Sequence, residues 1–322
     1  MQLPLSIAID IGGTKTKYGF ITEEGKIIHR HETQTGNAPE PSELVNRLSK
    51  EILEASSKLK ESHSLVGAGI CAPNVNYYKG TVEHPPNLNW KGVIPLAKLF
   101  EESLSVPVAL MNDANAAAVG EMYFGSAKGM KDFLFITLGT GLGSGIISNG
   151  QLIIGKHGFG GELGHTIIIQ HGRMCGCGRK GCLEQYCSAT GIVKTYFDIL
   201  KNDGRPMPSD ISIDDVDSEY IYKKALGGDE AAFYAFNYTG ELLGFALANT
   251  VTCLDPEAIF LFGGLARAEE LLFNPVRISF EKNLMNVFKN KISILPSGLH
   301  ENDASLLGSA SVIWDKTRRK NK

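Results

Sequence analysis

Short apolar runs near the start of the chain predict three β-strands, at residues 5–11, 16–22 and 27–33. Turn residues separate these runs, so the strands are expected to form an antiparallel meander. Apolar residues then recur at helical spacing over residues 41–60, which predicts an amphipathic helix.

The opening pattern recurs in the middle of the chain, where a predicted strand at 133–138 enters a glycine-rich turn at 139–145 and a further strand is expected from residue 146. Two strand–glycine turn–strand units predict two similar α/β halves that face each other across a cleft. The stretch 202–219 lacks a clear pattern and is expected to be an exposed insertion. Other predicted strands are 65–71, 106–111, 152–154 and 258–262, and other predicted helices are 95–104, 114–124, 229–252 and 305–315.

Composition and charge limit the class of protein. At 322 residues the chain exceeds the size at which a single core usually stops growing, so two domains are expected. Its 32 basic and 35 acidic residues give a net charge of −3, which does not indicate a nucleic-acid surface, and the basic residues 316–322 are expected to be a solvated tail. The sequence shows no secretory signal and no apolar run of the roughly 20 residues that a membrane span needs. Six cysteines, mostly clustered, then fit a reducing cytoplasm.

Two glycine turns are candidates for binding phosphate. Asp10-Ile11-Gly12-Gly13-Thr14 and Gly139-Thr140-Gly141 can each present backbone N–H groups and a threonine hydroxyl to phosphate oxygens. Glycine is also common in ordinary hairpins, so a single turn is weak evidence and the repetition strengthens it. Neither turn matches a G-x-x-x-x-G-K-[ST] loop or the strand-to-helix fingerprint of a dinucleotide site.

A short cysteine-rich segment carries the strongest chemical signal. Cys175, Cys177 and Cys182 lie close in sequence, with glycines that let the backbone turn between them, and His165 lies just upstream. Three thiolates and an imidazole are ligands that suit a tetrahedral structural Zn²⁺. A disulfide or plain buried cysteines are the alternatives.

Three carboxylates are candidates for contact with a substrate. Glu162 and Glu184 flank the predicted zinc cage but are not needed as ligands, so they can accept hydrogen bonds from a polyhydroxylated substrate. Asp113 follows the predicted strand 106–111, at the edge of a sheet where ligands usually bind. It could be only a helix N-cap, or it could take the proton of an acceptor hydroxyl during phosphoryl transfer.

The successive motifs resemble those of the ROK family of sugar kinases, in the same order. The resemblance covers the chain from the first strand to the last helix, and it is specific because the cysteine segment and the Glu-x-x-His motif rarely occur together elsewhere. It rests on Asp10-Ile11-Gly12-Gly13-Thr14-Lys15, Pro86-Asn87-Leu88, Asn112-Asp113, Gly139-Thr140-Gly141-x-Gly143, Glu162-x-x-His165, the segment 175–184 and Gly263-Gly264.

The resemblance implies an α/β protein with the two-domain actin-like ATPase (ribonuclease H-like) fold and an active site in the interdomain cleft. The implied domains are residues 1–113 with 303–322, and residues 114–302, which carry the zinc loop. It also implies ATP, Mg²⁺ and a structural Zn²⁺ as cofactors, a hexose as the substrate, no nucleic-acid or membrane partner, and a cytoplasmic homodimer or homotetramer.

Residue roles also follow from the resemblance, which makes Asp113 the general base. The implied sugar ligands are Asn87, Asn112, Asp113, Glu162, His165 and Glu184, and the implied zinc ligands are His165, Cys175, Cys177 and Cys182. The implied nucleotide and Mg²⁺ residues are Asp10, Gly12, Gly13, Thr14, Lys15, Gly139, Thr140, Gly141, Gly263 and Gly264. The remaining cysteines, Cys71, Cys187 and Cys253, match no ligand position and are expected to be structural, with Cys187 as the rival ligand.

The implied reaction is phosphorylation of a hexose at its 6-hydroxyl, with glucose as the first choice. N-acetylglucosamine, N-acetylmannosamine and fructose remain alternative substrates, because the residues that admit or exclude an acetamido group are not readable from these motifs. A sugar-responsive transcriptional regulator is the alternative from another class, because ROK proteins include regulators with the same core. Those carry an added helix-turn-helix module, which is not expected in this chain.

Overall fold

A computed structural model describes residues 2–36, 38, 40–85, 88–209 and 211–320. Its strands are β1 (Leu3–Ile11), β2 (Lys15–Thr22), β3 (Ile27–Gln34), β4 (His63–Cys71), β5 (Val75–Asn76), β6 (Thr81–Glu83), β7 (Val93–Ile94), β8 (Val108–Met111), β9 (Phe133–Leu138), β10 (Leu142–Ser148), β11 (Gln151–Leu152), β12 (Ala258–Phe262) and β13 (Ser293–Pro296). Its α-helices are α1 (Pro41–Ser57), α2 (Leu96–Leu104), α3 (Asp113–Phe124), α4 (Glu184–Cys187), α5 (Ala189–Asn202), α6 (Ser218–Leu226), α7 (Glu230–Leu254), α8 (Glu270–Asn283) and α9 (Glu301–Lys320).

The chain divides into two compact units. The first comprises Met1–Met130, Leu152–Gly161 and Gly298–Lys322, and the second comprises Lys131–Gln151 and Glu162–Ser297. The first unit therefore extends past residue 113, where the sequence placed the boundary. The reason is that α3 packs on α9: the Tyr123 hydroxyl donates to Asp315 at 2.9 Å, and the Ser311 hydroxyl contacts the carbonyl of Ala116 at 3.4 Å.

The sheet of the first unit has the strand order β3-β2-β1-β4-β8, in which β2 and β3 form antiparallel pairs and β4 and β8 run parallel to β1. Successive side chains of a strand point to opposite faces, and both faces of β1 are buried. Leu5, Ile7 and Ile9 pack in the cluster that includes α1 and α2 residues, whereas Ala8 packs with α9. The carboxyl ends of β1, β4 and β8 consequently share one edge of this sheet.

The sheet of the second unit repeats this order, as β11-β10-β9-β12-β13, with an antiparallel hairpin on one side of β9 and parallel strands on the other. The prediction of two similar α/β halves is thus confirmed at the level of topology. Each glycine turn joins the first strand of a sheet to its antiparallel partner.

Some local predictions differ from the structure. The strand after the second glycine turn begins at Leu142 rather than at residue 146, because Gly143, Ser144 and Gly145 pair with β9 despite their weak strand propensity. The described residues of the stretch 202–219 are mostly exposed, and they include a 3-10 turn at Ile213–Asp215 and the start of α6. Within the described part of the chain, no helix is both long enough and apolar enough to cross a membrane.

Candidate functional site

The first glycine turn lies at the carboxyl end of β1, where Gly12 N–H donates to the carbonyl of Lys15 at 3.0 Å. Gly13 and Thr14 are exposed. Thr35, which follows β3, donates its hydroxyl to the carbonyl of Gly12 at 2.7 Å. The predicted phosphate residue Lys15 forms an ion pair with Glu32 at 2.6 Å, and both side chains are about half-exposed.

The second glycine turn has the equivalent place at the end of β9. Gly139 N–H donates to Gly141 O at 3.0 Å, and Thr140 is exposed. The first turn of α5 lies against this turn, because Ala189 N–H donates to Gly139 O and the Thr190 hydroxyl donates to Thr140 O, both at 2.8 Å. The turn is therefore held from outside its own hairpin.

Gly263 and Gly264 follow β12 and lie beside the second glycine turn. Gly263 has a φ of 104°, and a Cβ there would be 2.7 Å from the carbonyl oxygen of Leu138, the residue that precedes the turn. Only glycine fits this conformation and this close approach. Apart from its neighbours in sequence, no described residue lies within 4 Å of where a Cβ of Gly264 would be.

Asp113 is exposed at the sheet edge of the first unit, and it is not the N-cap of α3. Asn112 has that role, because its Oδ1 accepts from the backbone N–H of Asn115 at 2.8 Å. Among the described residues, the hydrogen bond found for Asp113 is a local one, which Oδ1 accepts from Ala114 N–H at 2.8 Å. The structure thus removes the interpretation of Asp113 as a plain helix cap.

Asp10 lies near the end of β1 and Asp113 just after β8, at the same edge of the sheet, and the two are close enough for their charges to interact. Burial raises the pKa of the Asp10 carboxyl, and the negative charge of Asp113 raises it further. Two carboxylates at one sheet edge create a local negative potential that a cation would relieve.

The four predicted zinc ligands come together in the second unit. Ligand atoms of His165, Cys175, Cys177 and Cys182 all lie within 4.8 Å of one another. The sulfurs of Cys177 and Cys182 are 3.6 Å apart, and so are Cys175 Sγ and His165 Nδ1. A tetrahedral zinc site with Zn–S bonds of about 2.3 Å has sulfurs about 3.8 Å apart, so both the donor set and its spacing fit Zn²⁺.

The thiols of this cluster are not paired as a disulfide, because every cysteine is free and 3.6 Å is far above a bonded S–S distance of about 2.0 Å. The backbone N–H and then the guanidinium of Arg179 lower the pKa of the Cys177 thiol, which favours the thiolate form that metals bind. Burial raises the pKa of the Cys182 thiol. The exposed Cys177 thiol therefore loses its proton more readily than an ordinary cysteine, which favours metal binding.

The two candidate sugar carboxylates of this unit lie at the metal cluster. His165 directs Nδ1 towards Cys175, and its Nε2 lies 3.9 Å from Glu162 Oε2. Glu184 Oε2 accepts from Leu142 N–H at 3.1 Å, and its Oε1 is 3.7 Å from Cys175 Sγ. Glu184 thereby connects the metal loop to the second glycine turn, a link that sequence spacing did not reveal.

Pro86 and Asn87 lie outside the described residues, so the predicted sugar contact of Asn87 stays a prediction. The residues that follow, Leu88, Asn89 and Trp90, line a small cavity of about 80 Å³ together with Gly13 of the first turn. This part of the predicted motif therefore lies beside a candidate phosphate turn.

The other cysteines lie outside the metal cluster. Cys187, the rival ligand, is fully buried and donates its thiol to the carbonyl of Thr239 at 3.4 Å, and burial raises its pKa. Cys71 is buried at the end of β4, and burial raises its pKa well above the usual value. Cys253 is exposed near the end of α7.

Comparison with known proteins agrees with this architecture. The model of the ROK family matches residues 6–316. A glucokinase from Thermotoga maritima is 34% identical over 322 residues, covering 96% of this chain and 97% of that protein. A xylose repressor from Bacillus subtilis is 30% identical and covers 96% of this chain and 77% of that protein.

A solved structure supports the fold assignment. A ROK family glucokinase from Streptomyces griseus, in complex with glucose and AMPPNP, superposes with a TM-score of 0.74 at 33% identity, covering 95% of this chain and 98% of that chain. The fold is that of the actin-like ATPases, as predicted. Because the match extends over almost the whole sequence, this protein belongs to the ROK family.

Proposed function

We propose that this ATP-dependent sugar kinase transfers the γ-phosphate of ATP to the 6-hydroxyl of a hexose, with glucose as the preferred substrate. The observation that carries the proposal is the state of Asp113, an exposed carboxylate at the sheet edge that is not used as a helix cap. The glucokinases among its relatives, one of them bound to glucose and AMPPNP, support the choice of sugar and of phosphate donor.

In the proposed reaction, the 6-hydroxyl oxygen attacks the γ-phosphorus while its proton passes to Asp113, and ADP leaves with the electrons of the broken bond. Asn87, Asn112, Glu162, His165 and Glu184 would bind the sugar hydroxyls. Bound Mg²⁺ would neutralise phosphate charge, and Asp10 would be the residue near it. The residues proposed to bind phosphates are Gly12, Gly13, Thr14, Lys15, Gly139, Thr140 and Gly141, and those proposed beside the adenosine are Gly263 and Gly264.

We also propose one structural Zn²⁺, held by His165, Cys175, Cys177 and Cys182. With four protein ligands this site would have no open position for water, so its role would be to hold the segment that carries the candidate sugar carboxylates. A homodimer or homotetramer is the proposed assembly, which light scattering of the purified protein would measure.

A sugar-responsive transcriptional regulator is the second candidate, because the xylose repressor match covers 96% of this chain. Turnover separates the two functions. A regulator would bind a sugar without consuming ATP, whereas a kinase forms ADP and sugar phosphate in equal amounts.

A substrate screen tests the proposal. ADP release would be followed with glucose, N-acetylglucosamine, N-acetylmannosamine, mannose and fructose, and glucose-6-phosphate dehydrogenase would detect phosphate on the 6-hydroxyl of glucose. We expect the highest kcat/KM with glucose. A higher value for an N-acetylhexosamine would replace the proposed substrate, and an absence of turnover with every sugar would overturn the kinase assignment.

A further inference from the structure

Both glycine turns receive a hydrogen bond on a carbonyl from a threonine that lies outside the hairpin. In the first unit, the Thr35 hydroxyl donates to Gly12 O at 2.7 Å, and the Thr35 backbone N–H donates to Thr14 O at 2.8 Å. Thr35 is 3% exposed, and its Oγ1 lies 3.0 Å from the hydroxyl of the fully buried Thr16. Since Thr35 gives its single hydroxyl proton to Gly12, Thr16 donates to Thr35.

In the second unit, the Thr190 hydroxyl donates to Thr140 O at 2.8 Å. Thr190 lies in the first turn of α5, which is capped by Ser188: the Ser188 hydroxyl accepts from Gly191 N–H at 3.0 Å. The helix start therefore holds the donor in place. Neither Thr35 nor Thr190 belongs to the set of residues proposed above to bind substrates.

A hydrogen bond on one carbonyl orients the next N–H group. The peptide unit is planar, and none of the described peptide bonds is cis, so the C=O of one residue and the N–H of the next point in opposite directions. A fixed Gly12 carbonyl thus orients the N–H of Gly13, and a fixed Thr140 carbonyl orients the N–H of Gly141. Glycine allows peptide rotation that other residues resist, so these units need an external constraint.

We propose that Thr35 and Thr190 are positioning residues for phosphate binding: each holds one glycine turn so that a backbone N–H group points towards a phosphate of the nucleotide. This inference rests on the proposed function, in which the two turns bind ATP phosphates. A preoriented N–H group binds an anion without the reorganisation that a mobile turn would require.

The test compares Thr190→Val, which keeps the shape but removes the hydroxyl, with Thr190→Ser, which keeps the hydroxyl. Thr35→Val and Thr35→Ser form a second pair, although the buried Thr35→Val change carries a greater risk of misfolding. Isothermal titration calorimetry with Mg²⁺ and AMPPNP would measure phosphate-dependent affinity without turnover. Adenosine, which has no phosphate, is the control ligand, and a thermal melt of each variant reports on folding.

We expect Thr190→Val to raise the Kd for AMPPNP about 3–10-fold, the amount that one net hydrogen bond is worth, with an unchanged Kd for adenosine and an unchanged melting temperature. Thr190→Ser should restore AMPPNP affinity. The KM for ATP should rise in Thr190→Val while the KM for the sugar stays constant.

Equal AMPPNP affinity in Thr190→Val and in the unmodified protein would overturn the inference while leaving the proposed function intact. An equal weakening of AMPPNP and adenosine binding together with a lower melting temperature would also overturn it, because that result describes a purely structural role. If the unmodified protein binds AMPPNP no better than adenosine, the turns do not bind phosphate, and the proposed function fails first.

Discussion

The substitution Asp113→Asn tests whether this carboxylate acts as a base, because it removes the charge and keeps the local hydrogen bonds. The cap of α3 comes from Asn112, and an amide oxygen at position 113 can still accept the 2.8 Å bond from Ala114 N–H. We therefore expect the free energy of unfolding to change by less than about 0.5 kcal/mol, as for other substitutions that break no buried contact. Removal of a general base typically lowers turnover about 10²–10⁴-fold, which corresponds to about 2.7–5.4 kcal/mol of activation free energy.

The same substitution has an electrostatic consequence inside the first unit. The charge of Asp113 contributes to the raised pKa of Asp10, so a neutral residue at 113 should lower the pKa of Asp10 towards its usual value. Any change in stability at neutral pH should consequently be a small gain. A marked loss of stability would show that Asp113 supports the fold in a way that its contacts do not indicate.

The assay measures kcat through coupled ADP release and sugar Kd through calorimetry. Asp214→Asn, in the exposed 3-10 turn at Ile213–Asp215, is the matched control with the same loss of one charge. Asp113→Asn should bind sugar normally and turn over slowly, whereas Asp214→Asn should do both normally. Turnover of Asp113→Asn above about one tenth of the unmodified rate would refute the assignment of this residue as the base.

Four further predictions concern stability and metal content. Elemental analysis should find one zinc per chain, and Cys177→Ser should lower both the melting temperature and the sugar affinity; a metal-free preparation with full activity would contradict this. Asp10→Asn should raise the melting temperature at pH 7, because the raised pKa of Asp10 means that its charged form destabilises the fold. That gain should shrink as the pH falls through the raised pKa, where the unmodified carboxyl becomes protonated, and a gain independent of pH would exclude this cause. Glu121→Ala should lower the free energy of unfolding by about 2–4 kcal/mol in denaturant titrations, since the fully buried Glu121 carboxylate accepts N–H groups of Ser126 and Gly298 at 2.7 and 3.0 Å. Glu269→Gly should raise the free energy of unfolding by about 1 kcal/mol, because Glu269 has φ 48° and ψ −130°, a conformation that strains a residue with a Cβ. An unchanged or lower free energy of unfolding would argue against that strain.

The assembly of His165 with three cysteines was predictable from sequence because its constraints are mostly local. Cys175, Cys177 and Cys182 lie within eight residues, and Gly178 and Gly181 adopt the positive φ values, 85° and 84°, that turn the segment back on itself. Ligand chemistry and backbone freedom were thus both visible in one short stretch. The presence of two similar α/β halves was also indicated, because each begins with the same strand–glycine turn–strand pattern.

Three other features were not predictable in the same way. Sequence patterns missed α8, because Pro275 inside it is a residue that normally ends a helix. The hydrogen bond from Leu142 N–H to Glu184 joins residues 42 positions apart, and nothing in the local sequence indicates that contact. The N-cap of α3 is a further case, since Asn112 and Asp113 are equally good caps and only the observed geometry separates them.

The two threonine contacts show what the repeated topology does and does not explain. Both threonines lie in the connection between the third strand of a meander and the following parallel strand. This connection runs from β3 to β4 in the first unit and from β11 to β12 in the second. Thr35 makes this contact from an irregular segment between β3 and α1, whereas Thr190 makes it from the first turn of a helix. A threonine hydroxyl thus donates to a carbonyl of each glycine turn, although the two threonines lie in different local structures. The shared feature is a peptide unit of the turn held by a threonine hydroxyl, which is what the proposed binding of phosphate by these turns requires.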